Sequence, residues 1–328
     1  DRSHFFSYFT KDFSHDDESK SSLSLALQDT SHDKYLKLYR IKSNLVDYER
    51  DNLESYFNFT HENEDLFFGF YASVYETLKE TDTDKYEYIL PDVTVDKKLF
   101  SSEAFGNLDL QSNFKMHNYE TNKLTNFLVN DFNWNYKDFI FKSGLKGKIF
   151  GNVRNINYET KNVDLYKEDT TSEVYGALGY LSQLNLEKKI NNITQNLKPK
   201  FLLRYSPNKN MRKENRGSIL NPIRAFNINR LDNLNNFETG LSTTLGLDYE
   251  ISQKNKKLDF SIAQIINEKE NKKMSSKSGL DEKLSDLVFT SNYEIRDKFK
   301  IEYNGAIDQN YHDINYSNIS TQFNFNPI

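Results

Sequence analysis

Residues 239–251 alternate strictly: Leu241, Thr243, Leu245, Leu247, Tyr249 and Ile251 fall on one side of an extended strand, and Gly240, Ser242, Thr244, Gly246, Asp248 and Glu250 on the other. Successive side chains of a strand point to opposite faces, so this period of two predicts one apolar and one wet face. Residues 107–116 do the same, with Leu108, Leu110, Phe114 and Met116 opposed to Asn107, Asp109, Gln111, Asn113 and Lys115. Across 139–149, Phe139, Phe141, Leu145 and Ile149 oppose Lys142, Lys146 and Lys148, with Gly144 between them, so the wet face there is basic.

Helical periodicity with caps is scarce, whereas about fifteen alternating segments are separated by Asn, Asp, Lys, Ser and Gly. The clearest strands are predicted at 23–28, 52–60, 66–76, 86–95, 105–116, 123–134, 139–150, 174–187, 194–205, 239–251, 258–266, 284–293, 299–307 and 314–325. The fold class is all-β. From Tyr136 onward the links alternate too: 136–138 is tight, 151–173 long, 188–193 short, 206–238 very long, 252–257 short, 267–283 long and 296–298 tight. Long loops at one rim and short turns at the other are expected of an antiparallel transmembrane β-barrel with extracellular loops and periplasmic turns. A soluble sandwich shares the alternation but gives no reason for the asymmetry of the links.

Composition sharpens this. A chain of 328 residues with only 37% hydrophobic residues and a mean hydropathy of -0.78 has little to fill a large core. Yet 25 Phe and 21 Tyr make it too aromatic for a disordered chain. A barrel with a wet lumen reconciles the two. No run approaches 18 apolar residues, so a helical membrane span is excluded while a strand-built one is not. A net charge of -5, with no dominant Lys/Arg-rich face, argues against nucleic acid as a partner. The absence of cysteine excludes disulfides, thiolate metal sites and Cys nucleophiles.

Candidate chemistry is sparse. His4, His15, His32, His61, His117 and His312 are scattered, and none forms an H-x-H or H-E-x-x-H pair. Asp82 and Asp84 in T-D-T-D lack the spaced Gly and Glu of a cation loop and read as a solvated loop. No nucleophile elbow, P-loop or dinucleotide fingerprint is present. No metal, cofactor or enzymatic activity is expected. The sequons at Asn58, Asn192 and Asn318 are expected to be bare. Lys142, Lys146 and Lys148, with Lys198, Lys200 and Arg204 on another strand, are candidates to meet anionic groups inside a lumen. The alternative is that they pair with Asp109, Asp248, Glu250 and Glu302.

Several segments, in order, resemble the LptD family of lipopolysaccharide-assembly outer-membrane proteins, in its alphaproteobacterial form. D-K-Y-L-K-L-Y at 33–39 resembles the family's D-T-Y-L-R-R-Y, and Y-I-L-P at 88–91 its V-L-P ahead of an alternating strand. L-K-P-K-F-L-L-R-Y-S-P-N at 197–208 is similar to its L-E-P strand ending near S-P-N. Most specific is R-L-D-N-L-N-N-F-E-T-G at 230–240, set against R-F-S-G-x-D-R-x-E-x-G: Arg230, Glu238 and Gly240 match. Asn233, Asn235 and Asn236 stand where the family has Gly, Asp and Arg, so an ion pair made by that Asp and Arg is not expected here.

The resemblance implies a bacterial outer-membrane translocon component that inserts lipopolysaccharide into the outer leaflet. Its implied partners are lipopolysaccharide, membrane lipid, an LptE-like lipoprotein plug, and an LptA-like periplasmic bridge reached through an N-terminal jelly-roll domain. Residues 1–328 are expected to form part of a single barrel domain. The jelly-roll domain is expected to be absent from them, as are the closing strands, since 325–328 carries no terminal aromatic pattern. The alternation alone fits a general porin or uptake barrel equally well, and a secreted β protein acting by adhesion is a third class.

Overall fold

The computed structural model describes residues 2–14, 18–79, 84–120, 122–207, 211–214, 219–231, 233–296 and 298–324. Among the described residues seventeen strands make one antiparallel sheet. In chain order they are β1 (His4–Ser14), β2 (Lys20–Thr30), β3 (Asn52–Glu62), β4 (Leu66–Thr77), β5 (Tyr86–Ser102), β6 (Gly106–Tyr119), β7 (Lys123–Asn135), β8 (Phe139–Ile140) and β9 (Leu145–Lys161). There follow β10 (Thr171–Leu184), β11 (Leu186–Ile190), β12 (Ile193–Ser206), β13 (Gly240–Gln253), β14 (Lys256–Asn267), β15 (Leu287–Ile295), β16 (Phe299–Ile307) and β17 (Ile314–Phe323). Among the described residues a short α-helix, α1 (Tyr35–Tyr39), interrupts the series, with 3-10 turns at Arg224–Phe226 and Ser276–Ser278. Among the described residues no helix is long and apolar enough to cross a membrane.

The chain divides into two compact units. The first comprises Asp1–Ser101, Leu108–Asn133 and Arg154–Val174. Here antiparallel registers align Thr10, Ser24, Asn58, Tyr71 and Asp92 in one row across β1 to β5. The adjacent row, on the opposite face, is Lys11, Leu23, Phe59, Phe70 and Val93. Phe5, Phe9, Leu27 and Phe57 belong to that second, apolar face and are exposed. Between β4 and β5 the register shifts opposite Pro91, which has no N–H to give to a ladder. The 31–51 link carries α1 and packs Leu36, Val46, Leu53 and Leu78 into a small core.

The second unit comprises Ser102–Asn107, Trp134–Val153 and Tyr175–Ile328. Across β12 to β17 one row reads Leu197, Tyr249, Phe260, Ser291, Tyr303 and Ile319. Its neighbour on the other face reads Lys198, Asp248, Ser261, Thr290, Asn304 and Asn318. The apolar face is again the open one: Leu203 is 42% exposed, Leu245 49% and Ile319 67%. The polar face turns apolar only near the long links, where Ala263, Ile265, Val288 and Ala306 meet Met211, Leu220, Met274 and Leu280 from 207–239 and 268–286. Apolar groups exposed on one face, and polar groups gathered on the other, invert the arrangement of a soluble sheet.

The alternation of links extends ahead of Tyr136. Links 31–51, 78–85, 162–170, 207–239 and 268–286 take turns with the tight 63–65, 103–105, 254–255 and 296–298. Between β6 and β7 the link spans only 120–122 in a long-link place, and Asn162 from the 162–170 link donates to the Asn122 carbonyl at 2.8 Å. Several elements differ from the sequence expectation: β5 runs to Ser102 rather than 95, and α1 is not among the expected elements. β1 has aromatic residues on both faces, Phe5 and Phe9 against Phe6 and Tyr8, so it shows no clean period. β9 runs on to Lys161, shrinking the expected 151–173 link to 162–170, because its outer half buries Asn152, Arg154, Ile156, Tyr158 and Thr160 on alternate positions while Asn155 and Glu159 face the other way. Segment 174–187 is two strands, parted at Asn185. Finally, 139–150 is broken by a turn at 141–144, where Gly144 adopts φ +82° and its N–H donates to the Phe141 carbonyl.

Candidate functional site

On β6 the alternation sets Asn107, Asp109, Gln111, Asn113 and Lys115 on one face, Asn107 being counted in the second unit. In the first unit Asn113 donates to Asp92 at 2.9 Å and to Thr94 at 3.1 Å, and the Lys115 ammonium lies 3.4 Å from Asp92. Gln111 accepts from Asn133 at 3.4 Å, and His117 meets Glu87 at 2.6 Å. This is a wall of amides and acids, largely self-paired. Tyr71 and Tyr75 extend it by donating to Glu54.

The basic residues divide. Lys142 sits in the 141–144 turn rather than with Lys146 and Lys148 on β9. Lys200 is committed to Asp248 at 2.8 Å and lies 4.4 Å from the Phe226 ring centre. Glu250 and Asp259 both hold Lys257, at 3.0 and 3.1 Å, and Lys300 is 3.8 Å from Glu302. Lys146, Lys148 and Lys198 have no carboxylate within 4.0 Å among the described residues.

Arg204 shares the Lys198 face but ends up under the 207–239 loop. Its guanidinium donates to the main-chain carbonyls of Ile228, Glu238 and Gly240. The planar, five-donor fork suits such a cluster of acceptors. Beside it Arg230 pairs with Glu238, Nε to Oε2 at 2.7 Å with a second bond through Nη2, which also donates to Ser242 at 2.9 Å. All three charged side chains are buried. Burial alone favours a neutral Glu238, but the Arg230 and Arg204 charges win and hold its carboxyl below the usual range. Gly240, at φ +113°, gives the chain the left-handed turn from which β13 starts. The motif residues Arg230, Glu238 and Gly240 thus converge with Arg204 into one latch.

The three asparagines also have work. Asn233 and Asn236 donate to the Glu214 carboxylate at 3.1 and 3.3 Å, Asn236 also donates to the Arg212 carbonyl, and Arg212 donates to the Asn235 carbonyl. Contacts with Arg212 and Glu214 join the two ends of the loop at the positions where the family has Gly, Asp and Arg. Sequence reasoning missed Phe237, which is buried and stacks on Tyr175 with ring centres 5.9 Å apart. It missed the buried bidentate pair of Arg154 with Asp131 at 2.8 and 2.7 Å. Neither carries a spacing pattern that would have flagged it. Asp82 and His15 lie outside the described residues. Among the described residues no group of three His, Cys, Asp or Glu side chains is placed to hold a metal.

Among the described residues the arrangement is a polar wall, an apolar wall and a long loop latched onto the polar one. No curated protein matches the sequence. Over residues 2–327 it matches the LptD family, LPS transport system D, and the chain belongs to that family.

Proposed function

We propose that this chain forms part of the wall of an outer-membrane barrel that inserts lipopolysaccharide into the outer leaflet. Membership of a lipopolysaccharide-transport family of outer-membrane β-barrels gives the class of the protein. The observation that carries the finer reading is the inverted polarity of the sheet, with Leu203, Leu245 and Ile319 exposed and the polar rows gathered on the other face. Aliphatic and aromatic side chains at that density on an open face are matched to acyl chains. The polar face is matched to a hydrated saccharide, and the latched 207–239 loop to closing the outer mouth.

Transport in this scheme needs no covalent chemistry: an amphipathic lipid keeps its sugars against the polar wall and its tails in hydrocarbon. An LptE-like lipoprotein seated against the polar face, and an LptA-like bridge delivering cargo through a periplasmic jelly-roll domain, complete the proposal. Depletion of the protein in cells tests it, with loss of newly made lipopolysaccharide from the surface as the expected result. Normal surface lipopolysaccharide after depletion would overturn it. Steady ion conductance of the reconstituted full-length protein would favour a porin instead.

A further inference from the structure

We infer that the short-turn end of the polar face in the second unit holds a phosphate-binding site built from Lys146 and Lys148 on β9 and Lys198 on β12, serving the phosphate groups of a sugar-bearing lipid. The inference rests on the lipopolysaccharide reading above and adds to it the place and chemistry of contact.

The placement follows from register. Lys146, Lys148 and Gln183 of β10 line one small cavity, and Gln183 pairs directly with Lys200 on β12. Lys198 is two residues from Lys200, hence on the same face, and stands opposite Asp248 of β13. Four ammonium groups, two on β9 and two on β12, therefore flank β10: Asp138 lines the small cavity with the first pair, and Lys198 lines a second cavity with Glu187, Asp248, Glu250 and Asp259. Glu187 is taken by Lys189 at 2.8 Å and Asp259 by Lys257 at 3.1 Å. Asp248 is taken by Lys200 at 2.8 Å, and Glu250, next along β13, by Lys257. The remaining three lysines have no ion-pair partner among the described residues. Lys200, Lys257 and Lys300 on the same face are each ion-paired, so three lysines with no carboxylate within 4.0 Å stand apart from their neighbours. Unpaired ammonium groups beside an amide side chain suit a multiply charged oxyanion, and a half-enclosed wall strengthens the attraction.

The test compares full-length protein in detergent with bisphosphorylated lipid A and with its dephosphorylated form. The wild type is expected to prefer the phosphorylated lipid by about tenfold or more. The triple variant K146Q/K148Q/K198Q is expected to lose that preference, while K146R/K148R/K198R keeps it; heat-modifiable migration on gels confirms that each variant is folded. Inorganic phosphate supplied as competitor identifies the source: displacement assigns recognition to phosphate alone, and persistence of the lipid assigns it to the phosphorylated sugar headgroup. A wild type indifferent to phosphorylation, or a glutamine variant with wild-type preference, would overturn the site. If that happens while depletion still strips lipopolysaccharide from the surface, only the site fails; if depletion has no effect, the transport reading itself fails.

Discussion

Arg230 and Glu238, eight residues apart in the same long loop, form a buried two-bonded ion pair whose carboxylate also feels the charge of Arg204 on β12. Breaking such a pair from one side leaves an uncompensated buried charge and costs about 3–5 kcal/mol, whereas replacing both partners by apolar groups costs far less. Glu238→Gln or Arg230→Met is therefore expected to make the 207–239 loop sensitive to trypsin in folded protein. Arg230→Met with Glu238→Leu is expected to restore much of the resistance. Equal sensitivity of the single and double variants would refute the coupling.

The same pair sets a pH dependence. Glu238 has its folded carboxyl pKa below the ordinary value of 4.5, so its contribution to the docked loop is complete above that value. It is lost as pH falls through the lowered folded value. Protease resistance of the loop should hold from neutral pH down to the ordinary carboxylate range and decline only in stronger acid. The Glu238→Gln variant should show no such acid step.

Phe237 tests whether the loop closes anything. Its ring is buried against Tyr175 and Arg204, and removing a buried phenyl ring costs about 3–5 kcal/mol. Phe237→Ala is expected to raise the ion conductance of the reconstituted protein and the susceptibility of outer-membrane cells to large antibiotics. Unchanged conductance with a protease-sensitive loop would mean that the loop packs on the wall without sealing it.

Leu245 tests what the exposed apolar face meets. If it meets hydrocarbon, Leu245→Lys costs about 2–4 kcal/mol near the bilayer midplane. The same change at a water-exposed position falls within about 0.5 kcal/mol. Unfolding from lipid vesicles by denaturant distinguishes the two, and a neutral result would count against a membrane-facing wall.

Gly106 tests the tight turn that enters β6. A Cβ there falls 2.1 Å from the Asn135 carbonyl oxygen and 2.8 Å from the Tyr136 Cα, at φ +78°. Main-chain atoms do not yield, so Gly106→Ala is expected to exceed about 4 kcal/mol, in the range of exceptional single substitutions. Wild-type heat-modifiability in this variant would show that the turn relaxes.

Much of this fold is legible in the sequence because β13 to β16 bury neither face completely, which leaves the period of two intact. Leu241 to Ile251 and their polar neighbours on β13 stand as the alternation expects. The pattern fails where cover arrives from elsewhere. On β9 the positions at Arg154, Ile156 and Tyr158 are buried together although one is charged, so hydropathy alone cannot trace the strand. Arg204 shows the same limit at the site: alternation gives the face on which a side chain stands, and the loop folded over that face decides what it touches. The partners of Lys200 and Lys257 lie on neighbouring strands or two residues away on the same one, a relation that register reveals and linear spacing does not.

Arg204 holds its loop by carbonyl oxygens, which every residue type supplies in the same way. At Ile228 the grip is therefore blind to side-chain identity. A segment anchored in this manner tolerates a change of side chain while its seat on the sheet persists, so variation in the loop and constancy of its attachment are compatible in one short stretch of chain.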